Sequence, residues 1–220
     1  MILSEIHKRI LTSLVLLPIL IFSIFSERYF FNILLIIVFL VASYEWYHIN
    51  KKNFGYFFIG VLIIFTSIIS AYILKGNNFE SNLFFLWLLS VGFFSDTGGY
   101  IFGKIIGGKK ITRISPNKTI AGVIGSFIFS TFPILFIYFF NKHEFLNTEN
   151  LFLSVKTFIL SLLFSFICQT GDILISYFKR KNKLKDTSNI LPGHGGLLDR
   201  IDGLIFLLLF SQILALLKII

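Results

Sequence analysis

The chain has 220 residues, of which 55% are hydrophobic and only 14% charged, with a mean hydropathy of +0.84. A soluble domain of this length does not bury so much apolar surface, so we expect an all-α polytopic membrane protein. The net charge is +9, which basic cytoplasmic loops and anionic phosphate ligands explain without a nucleic-acid partner. Cys168 stands alone, which excludes a disulfide within the chain and predicts a buried thiol.

Seven apolar stretches are each near the ~20 residues that cross ~30 Å of hydrocarbon. The first lacks a small-x-small cleavage site, which predicts a retained helix rather than a signal peptide. No repeat or linker divides the chain, so we expect one integral membrane domain over 1–220, with N-terminal helices in 1–82 and a catalytic half in 83–220. The predicted spans are 10–26, 29–49, 54–74, 83–103, 119–140, 151–178 and 203–220.

The basic residues predict the orientation of these about seven transmembrane helices. With the N-terminus in the cytoplasm, fifteen Lys and Arg residues fall on the inner side and five on the outer side. The positive-inside rule therefore favours an N-in, C-out topology. Every aspartate falls on the cytoplasmic side or at an inner helix end, so we expect a polar site at the cytoplasmic face: Asp96, Asp172, Asp186, Asp199 and Asp202.

The first polar element is "SDTGGYIFGKIIGGKK", residues 95–110, where Asp96 interrupts an apolar helix. A carboxylate at that depth costs at least ~2.5–3.5 kcal/mol unless it faces water or a partner. It is either an ion pair that serves packing or a site residue. The glycines that follow allow close helix approach or a loop with exposed N–H groups. In the second element, "TRISPNKT", Arg113 and Lys118 precede a helix start that suits a phosphate.

The third element, residues 169–186, places Asp172, Ser176 and Lys179 on one helix face. The basic run after it also suits an anionic-lipid anchor. The fourth, "LPGHGGLLDRIDG", is a tight glycine loop that brings Asp199, Arg200 and Asp202 to the inner end of the last helix. His194 in that loop is either a turn residue or a donor to phosphate.

Carboxylates that hold Mg²⁺, together with cations and glycine-rich loops, are what binding of a nucleoside triphosphate requires. GxxxxGK[ST], GxSxG and a strand pattern are all missing from the sequence. Phosphoryl-type chemistry at the membrane surface therefore fits better than acyl transfer.

The run "SYFKRKNKLKDTSNILPGHGGLLDRID", residues 176–202, resembles the C-terminal signature of the phosphatidate cytidylyltransferases (CDP-diacylglycerol synthases). That signature reads S-x-x-K-R-x4-K-D, then P-x-H-G-G-x-x-D-R-x-D, and every fixed position is met. "SDTGGYIFGK" and "ISPNKT" resemble a second region of the same family. One departure is Ala121, where the family usually has Glu, so we assign no catalytic role there.

The resemblance implies transfer of CMP from CTP to phosphatidic acid, in a multi-pass protein of a bacterial inner membrane. It implies a metal centre on Asp172 and Asp199, with Mg²⁺ and a second cation, K⁺ or Mg²⁺. Catalytic roles are implied for Ser176, Lys179 and Arg180 as well. The substrate-binding residues that we predict from the resemblance and the polar elements are Lys185, Asp186, His194, Arg200, Asp202, Asp96 and Lys118.

Other functions stay open at this point. One alternative is a polyprenol or phytol kinase, or an archaeal-type lipid cytidylyltransferase. Such an enzyme would also bind a metal ion and CTP but would act on a different acceptor lipid. A transporter that uses buried aspartates for cations is of another class. It fits less well, because the carboxylates gather at one face rather than at the midplane. The partners expected are CTP, phosphatidic acid and the bilayer, with a homodimer as an alternative to a monomer.

Overall fold

The computed structural model describes residues 2–51, 53–112, 115, 118–135, 138 and 154–220, with side chains from residue 7 onward. Within these ranges the chain forms seven α-helices and no strand. They are α1 (Ile2–Phe25), α2 (Arg28–Asn50), α3 (Phe54–Leu74), α4 (Phe79–Ile105), α5 (Ile120–Ser130), α6 (Val155–Lys181) and α7 (Leu198–Leu216).

The prediction of an all-α polytopic membrane protein is confirmed. Five helices are long and apolar enough to cross a bilayer: α1 from His7, α2, α3, α4 and α6. Large apolar side chains such as Phe54 and Ile105 are exposed on the outside of the helices, as expected for lipid contact. The N-in, C-out orientation stays a prediction.

Two helix boundaries differ from the expected ones. The predicted span 119–140 contains the short helix α5, which ends at Ser130, and its residues 136, 137, 139 and 140 lie outside the described part of the chain. Helix α7 begins at Leu198, five residues before the predicted span, so that Asp199 and Asp202 lie in its first turns. The apolar pattern starts only at Gly203, which is why hydropathy placed the boundary there.

Polar residues start four of the helices. The side chains of Asn53, Asn78, Thr119 and Ser154 each accept a hydrogen bond from the backbone N–H three residues later. These contacts satisfy N–H groups that have no partner within the helix. The sequence thus sets where α3, α4, α5 and α6 begin.

The core consists of two adjoining apolar clusters. The larger one surrounds Trp87 and Leu88 of α4 and includes Phe164 of α6 and Leu207 of α7. The smaller one joins the end of α2 to α3, α6 and α7, with Trp46 among its buried members. Helices α4, α6 and α7 therefore pack together beneath the polar residues described below.

Glycines bring α4 and α5 into close contact. A Cβ atom on Gly98 would lie 2.4 Å from the carbonyl oxygen of Gly125, and one on Gly122 would lie 2.9 Å from that of Gly99. Neither position has room for a side chain, so the backbones approach as in small-residue membrane interfaces. Of the two interpretations of these glycines, close helix approach holds here. The later pair at 107 and 108 has positive φ and lies in the loop.

Candidate active site

Asp96 of α4 and Asp172 of α6 face each other beside the buried thiol of Cys168. One ligand atom from each of these residues lies within 4.8 Å of the other two. The Oδ2 atom of Asp172 accepts a hydrogen bond from Lys118 Nζ at 2.8 Å, whereas its buried Oδ1 atom has no hydrogen-bond partner in the described structure. Cys168, expected to be a buried bystander, is buried but lies next to the carboxylates.

Lys118 is held at the base of α5. Its Nζ also donates to the carbonyl oxygen of Gln169 at 3.2 Å. Its backbone is fixed because the N–H of Ile111 donates to the Lys118 carbonyl at 3.0 Å, and Ile120 N–H donates to Lys109. The pairing of 109–111 with 118–120 thus orients this cation toward Asp172. Arg113, predicted beside it, lies outside the described residues.

A second ion pair joins α6 to α7. Lys179 Nζ lies 2.7 Å from Asp199 Oδ1 and 3.9 Å from Asp202 Oδ2. Lys179 and Asp199 have side chains less than one tenth exposed. The charge of Asp172 acts on both Asp96 and Asp202, so the two ion pairs belong to one electrostatic cluster.

The other carboxylate oxygen of Asp199 holds the preceding loop. Its Oδ2 atom accepts hydrogen bonds from Thr187 N at 2.8 Å, from Thr187 Oγ1 at 3.0 Å and from Gly196 N at 3.0 Å. Both oxygens of Asp199 are therefore engaged. The carboxylate that lies close enough to Asp172 to share a metal ion with it is that of Asp96. A single ion held by both Asp172 and Asp199 stays a prediction.

The glycine loop 191–196 is tight, with Leu191 N–H donating to Gly195 O at 2.9 Å. Arg200 donates from Nε and Nη2 to the carbonyl of His194, at 3.1 and 2.6 Å. The His194 Nδ1 atom lies 2.6 Å from the hydroxyl of Thr12 in α1. Partial burial, together with the nearby charge of Arg200, lowers the pKa of His194 below its ordinary value. The neutral ring is therefore favoured at pH 7.

Four predicted site residues lie at the end of α6 or just after it, and they form no ion pair with the cluster described above. Ser176 follows Asp172 by one turn and has no hydrogen-bond partner among the described residues. Arg180 donates to the carbonyl of Leu184 at 2.9 Å. Lys185 and Asp186 are exposed in the segment that follows. The catalytic roles of Ser176 and Arg180 and the substrate-binding roles of Lys185 and Asp186 stay predictions.

A groove of about 830 Å³ opens beside the loop, between the ends of α2 and α6. Its cations are Lys51, Lys181 and Lys183. Thr187 also lines the groove and bonds Asp199, so the groove adjoins the ion-paired cluster.

Glu45 contacts the loop before α7, and the sequence analysis did not identify it as a candidate residue. It is fully buried in α2 and accepts hydrogen bonds from Thr187, Ser188, Leu197 and Leu198. The signal was present, because Glu45 is a lone acidic residue inside the apolar stretch 29–49. A carboxylate inside an apolar helix is costly unless it has a partner, and this argument, used above for Asp96, applies equally to Glu45.

Comparison with known proteins gives the family. The sequence profile described as "Cytidylyltransferase family" matches residues 51–217. The chain belongs to this family. It is 35% identical to a phosphatidate cytidylyltransferase of Rickettsia bellii over 208 residues, covering 92% of this chain and 87% of the relative.

Two further relatives in the cytidylyltransferase family bear the same name. A phosphatidate cytidylyltransferase of Rickettsia conorii is 34% identical over 98% of this chain and 92% of its own length. One of Staphylococcus haemolyticus is 35% identical over 60% of this chain and 48% of its own length. The suspected family resemblance is confirmed.

Proposed function

We propose that this protein is a phosphatidate cytidylyltransferase that transfers CMP from CTP to phosphatidate, in a bacterial inner membrane. Family membership and the names of its relatives support this assignment. The observation that carries it is the arrangement at Asp172. One oxygen is paired with Lys118, and the other is buried among the carboxyl groups of Asp96 and Asp202, with no N–H or hydroxyl donor among the described residues. An unsatisfied buried carboxylate oxygen is costly, which favours a ligand at this point.

The donor set fits Mg²⁺. This ion prefers oxygen ligands and is often bound through one or two carboxylates together with substrate phosphates. Asp96 and Asp172 would hold it, whereas the Cys168 thiol is a soft ligand that suits other metals. When bound, Mg²⁺ offsets the repulsion between two anionic substrates and polarises the reacting phosphate. Asp199 as a further ligand beside Asp172, and a second cation, K⁺ or Mg²⁺, remain part of the proposal.

The reaction needs positioning and charge rather than a strong base. An oxygen of the phosphatidate phosphate attacks the α-phosphorus of CTP, and the bond from that phosphorus to the bridging oxygen breaks to release pyrophosphate. Lys118, Lys179 and Arg200 place positive charge where negative charge accumulates. The buried Lys179 acts in a medium that screens its charge weakly.

We assign CTP to the cluster and the adjoining groove. The groove has room for part of a nucleotide, and its three lysines suit a polyphosphate. It opens at the end of α6, on the side that the basic residues predict to be cytoplasmic. Soluble CTP reaches the site from there, while the lipid reaches it from the bilayer.

The test uses CTP labelled at either the α- or the γ-phosphorus, with purified protein and phosphatidate in detergent. We expect the α-label in a liponucleotide and the γ-label in pyrophosphate. EDTA should abolish the transfer and Mg²⁺ should restore it. A γ-label in the lipid product would indicate a lipid kinase instead. No lipid label with phosphatidate supplied would refute the proposal, and transfer that survives EDTA would refute its metal requirement.

A further inference from the structure

Glu45 is fully buried in α2, far in sequence from the ion-paired cluster. Its Oε1 atom accepts hydrogen bonds from Ser188 Oγ at 2.5 Å and Leu197 N at 2.9 Å. Its Oε2 atom accepts from Leu198 N at 2.7 Å and lies 3.0 Å from Thr187 Oγ1, whose single proton it shares with Asp199. Four donors from the 187–198 segment thus converge on one carboxylate.

Two of these donors belong to the start of α7. The first N–H groups of a helix have no partner within the helix, and a negative charge at that end is favoured by the helix dipole. The residue at the cap position, Leu197, has no side chain able to accept a hydrogen bond. Glu45 therefore supplies from another helix the cap that the local sequence lacks.

The same carboxylate connects to the ion-paired cluster. Thr187 Oγ1 lies 3.0 Å from Glu45 and 3.0 Å from Asp199. Asp199 in turn holds Lys179 at 2.7 Å, and Lys179 lies 3.9 Å from Asp202. The polar chain therefore runs from α2 through the loop to the cations and carboxylates of α6 and α7.

The packing around these polar contacts is tight. A Cβ atom on Gly196 would lie 1.8 Å from Thr187 Oγ1 and 2.7 Å from Glu45 Oε2. The loop backbone therefore sits directly against the carboxylate. Glu45 also lies outside residues 51–217, the part of the chain that matches the family profile.

We propose that Glu45 is a positioning residue for cytidylyl transfer, which fixes Asp199 and Lys179 by holding Thr187 and the start of α7. The inference rests on the proposed function. It adds that the reaction requires a residue of α2, which lies outside the region that matches the family profile. Glu45 is fully buried, so it acts through these residues rather than on the substrate. Its role is to keep the cations in place for the reacting phosphates.

The experiment compares Glu45→Ala, Glu45→Gln and Glu45→Asp with wild type, using purified full-length protein in detergent. The matched control is Glu80→Gln, which changes an exposed glutamate in the first turn of α4. Two kinds of measurement are made. One is amide hydrogen exchange in the peptide containing Leu197 and Leu198, and the other is kcat and KM for CTP in the folded fraction.

We expect faster exchange in that peptide for Glu45→Ala, with other helices unchanged. We expect kcat to fall about 10- to 100-fold, as when other residues that orient ligands are removed, with KM for CTP within about threefold. Glu45→Gln keeps the side-chain size but places an amide toward two donors, so it should share the defect if Glu45→Ala does not fold. Glu45→Asp should recover part of kcat.

Unchanged exchange would overturn the inference even if activity falls. A loss of folded protein with unchanged kcat in the folded fraction would overturn it too, because Glu45 would then only stabilise the fold. An inactive wild type refutes the proposed function separately, since the exchange measurement does not depend on activity.

Discussion

Asp172 and Asp199 both pair with a lysine, but replacing them with asparagine should have different effects. Lys118 and Asp172 have side chains 26% and 15% exposed, whereas Lys179 and Asp199 are 9% and 8% exposed. An ion pair at the protein surface contributes about 0–1 kcal/mol to stability, and the more exposed Lys118–Asp172 pair is nearer to that limit than the Lys179–Asp199 pair. Removing one member of a buried pair costs about 3–5 kcal/mol, because the other charge is left buried.

Asp172→Asn should therefore destabilise the protein less than Asp199→Asn does. Lys118 keeps its hydrogen bond to Gln169, and the Oδ1 atom of Asp172 has no described partner to lose. Turnover should nevertheless fall about 10²–10³-fold, the cost of removing one electrostatic contact to a reacting group. Asp199→Asn should instead melt at a clearly lower temperature, because Lys179 loses its 2.7 Å partner.

Thermal unfolding in detergent and transfer of α-labelled CTP into lipid measure the two effects on the same preparations. Glu80→Gln serves as the control, and it should match wild type in both. Turnover of Asp172→Asn within about threefold of wild type at saturating Mg²⁺ would refute the assigned role of Asp172. Equal loss of melting temperature in the two variants would refute the assignment of the buried pair to Lys179 and Asp199.

Three further outcomes follow from the loop and the groove. Gly196→Ala should lower both activity and melting temperature because its Cβ overlaps Thr187, whereas Gly55→Ala meets only an atom 3.5 Å away and should be neutral in the same assays. The lowered pKa of His194 means that the folded state binds this proton less readily than the unfolded state. Its stabilising contribution is complete above about pH 6.5 and is lost as the pH falls toward the lowered value, so His194→Gln should show a shallower loss of melting temperature between pH 7 and 5. Lys183→Glu in the groove should raise KM for CTP about tenfold with little change in kcat, and an unchanged KM would remove the groove from the CTP site.

Hydropathy located the helices, because the bilayer length sets a requirement that five of the apolar stretches meet locally. The bounds of α3 at 54 and 74 agree with the predicted span. For the glycines at 98 and 99 the sequence left close helix approach and an exposed loop open, and the structure has the close approach. Spacing along one helix also placed Asp172 and Lys179 on a common face.

The partners of these residues were not predictable, because they come from distant helices. Asp172 meets Lys118, 54 positions away, and Leu198 meets Glu45 across 153 positions. Thr12 at the start of the chain reaches His194 across 182 positions. A single sequence shows how deep a residue lies in the membrane and on which face of its helix it stands. It does not show which helix faces pack against each other.

The distance in sequence between Glu45 and its donors has a consequence for how the protein is made. Helix α2 emerges from the ribosome while residues 187–198 are still untranslated, and 152 positions separate Glu45 from Leu197. At about 5–20 residues per second, synthesis of that interval takes roughly 8–30 s. During this time an apolar helix carries a carboxylate that lacks its native donors. A nascent chain that stops short of α7 therefore leaves this carboxylate without its two backbone donors, Leu197 and Leu198.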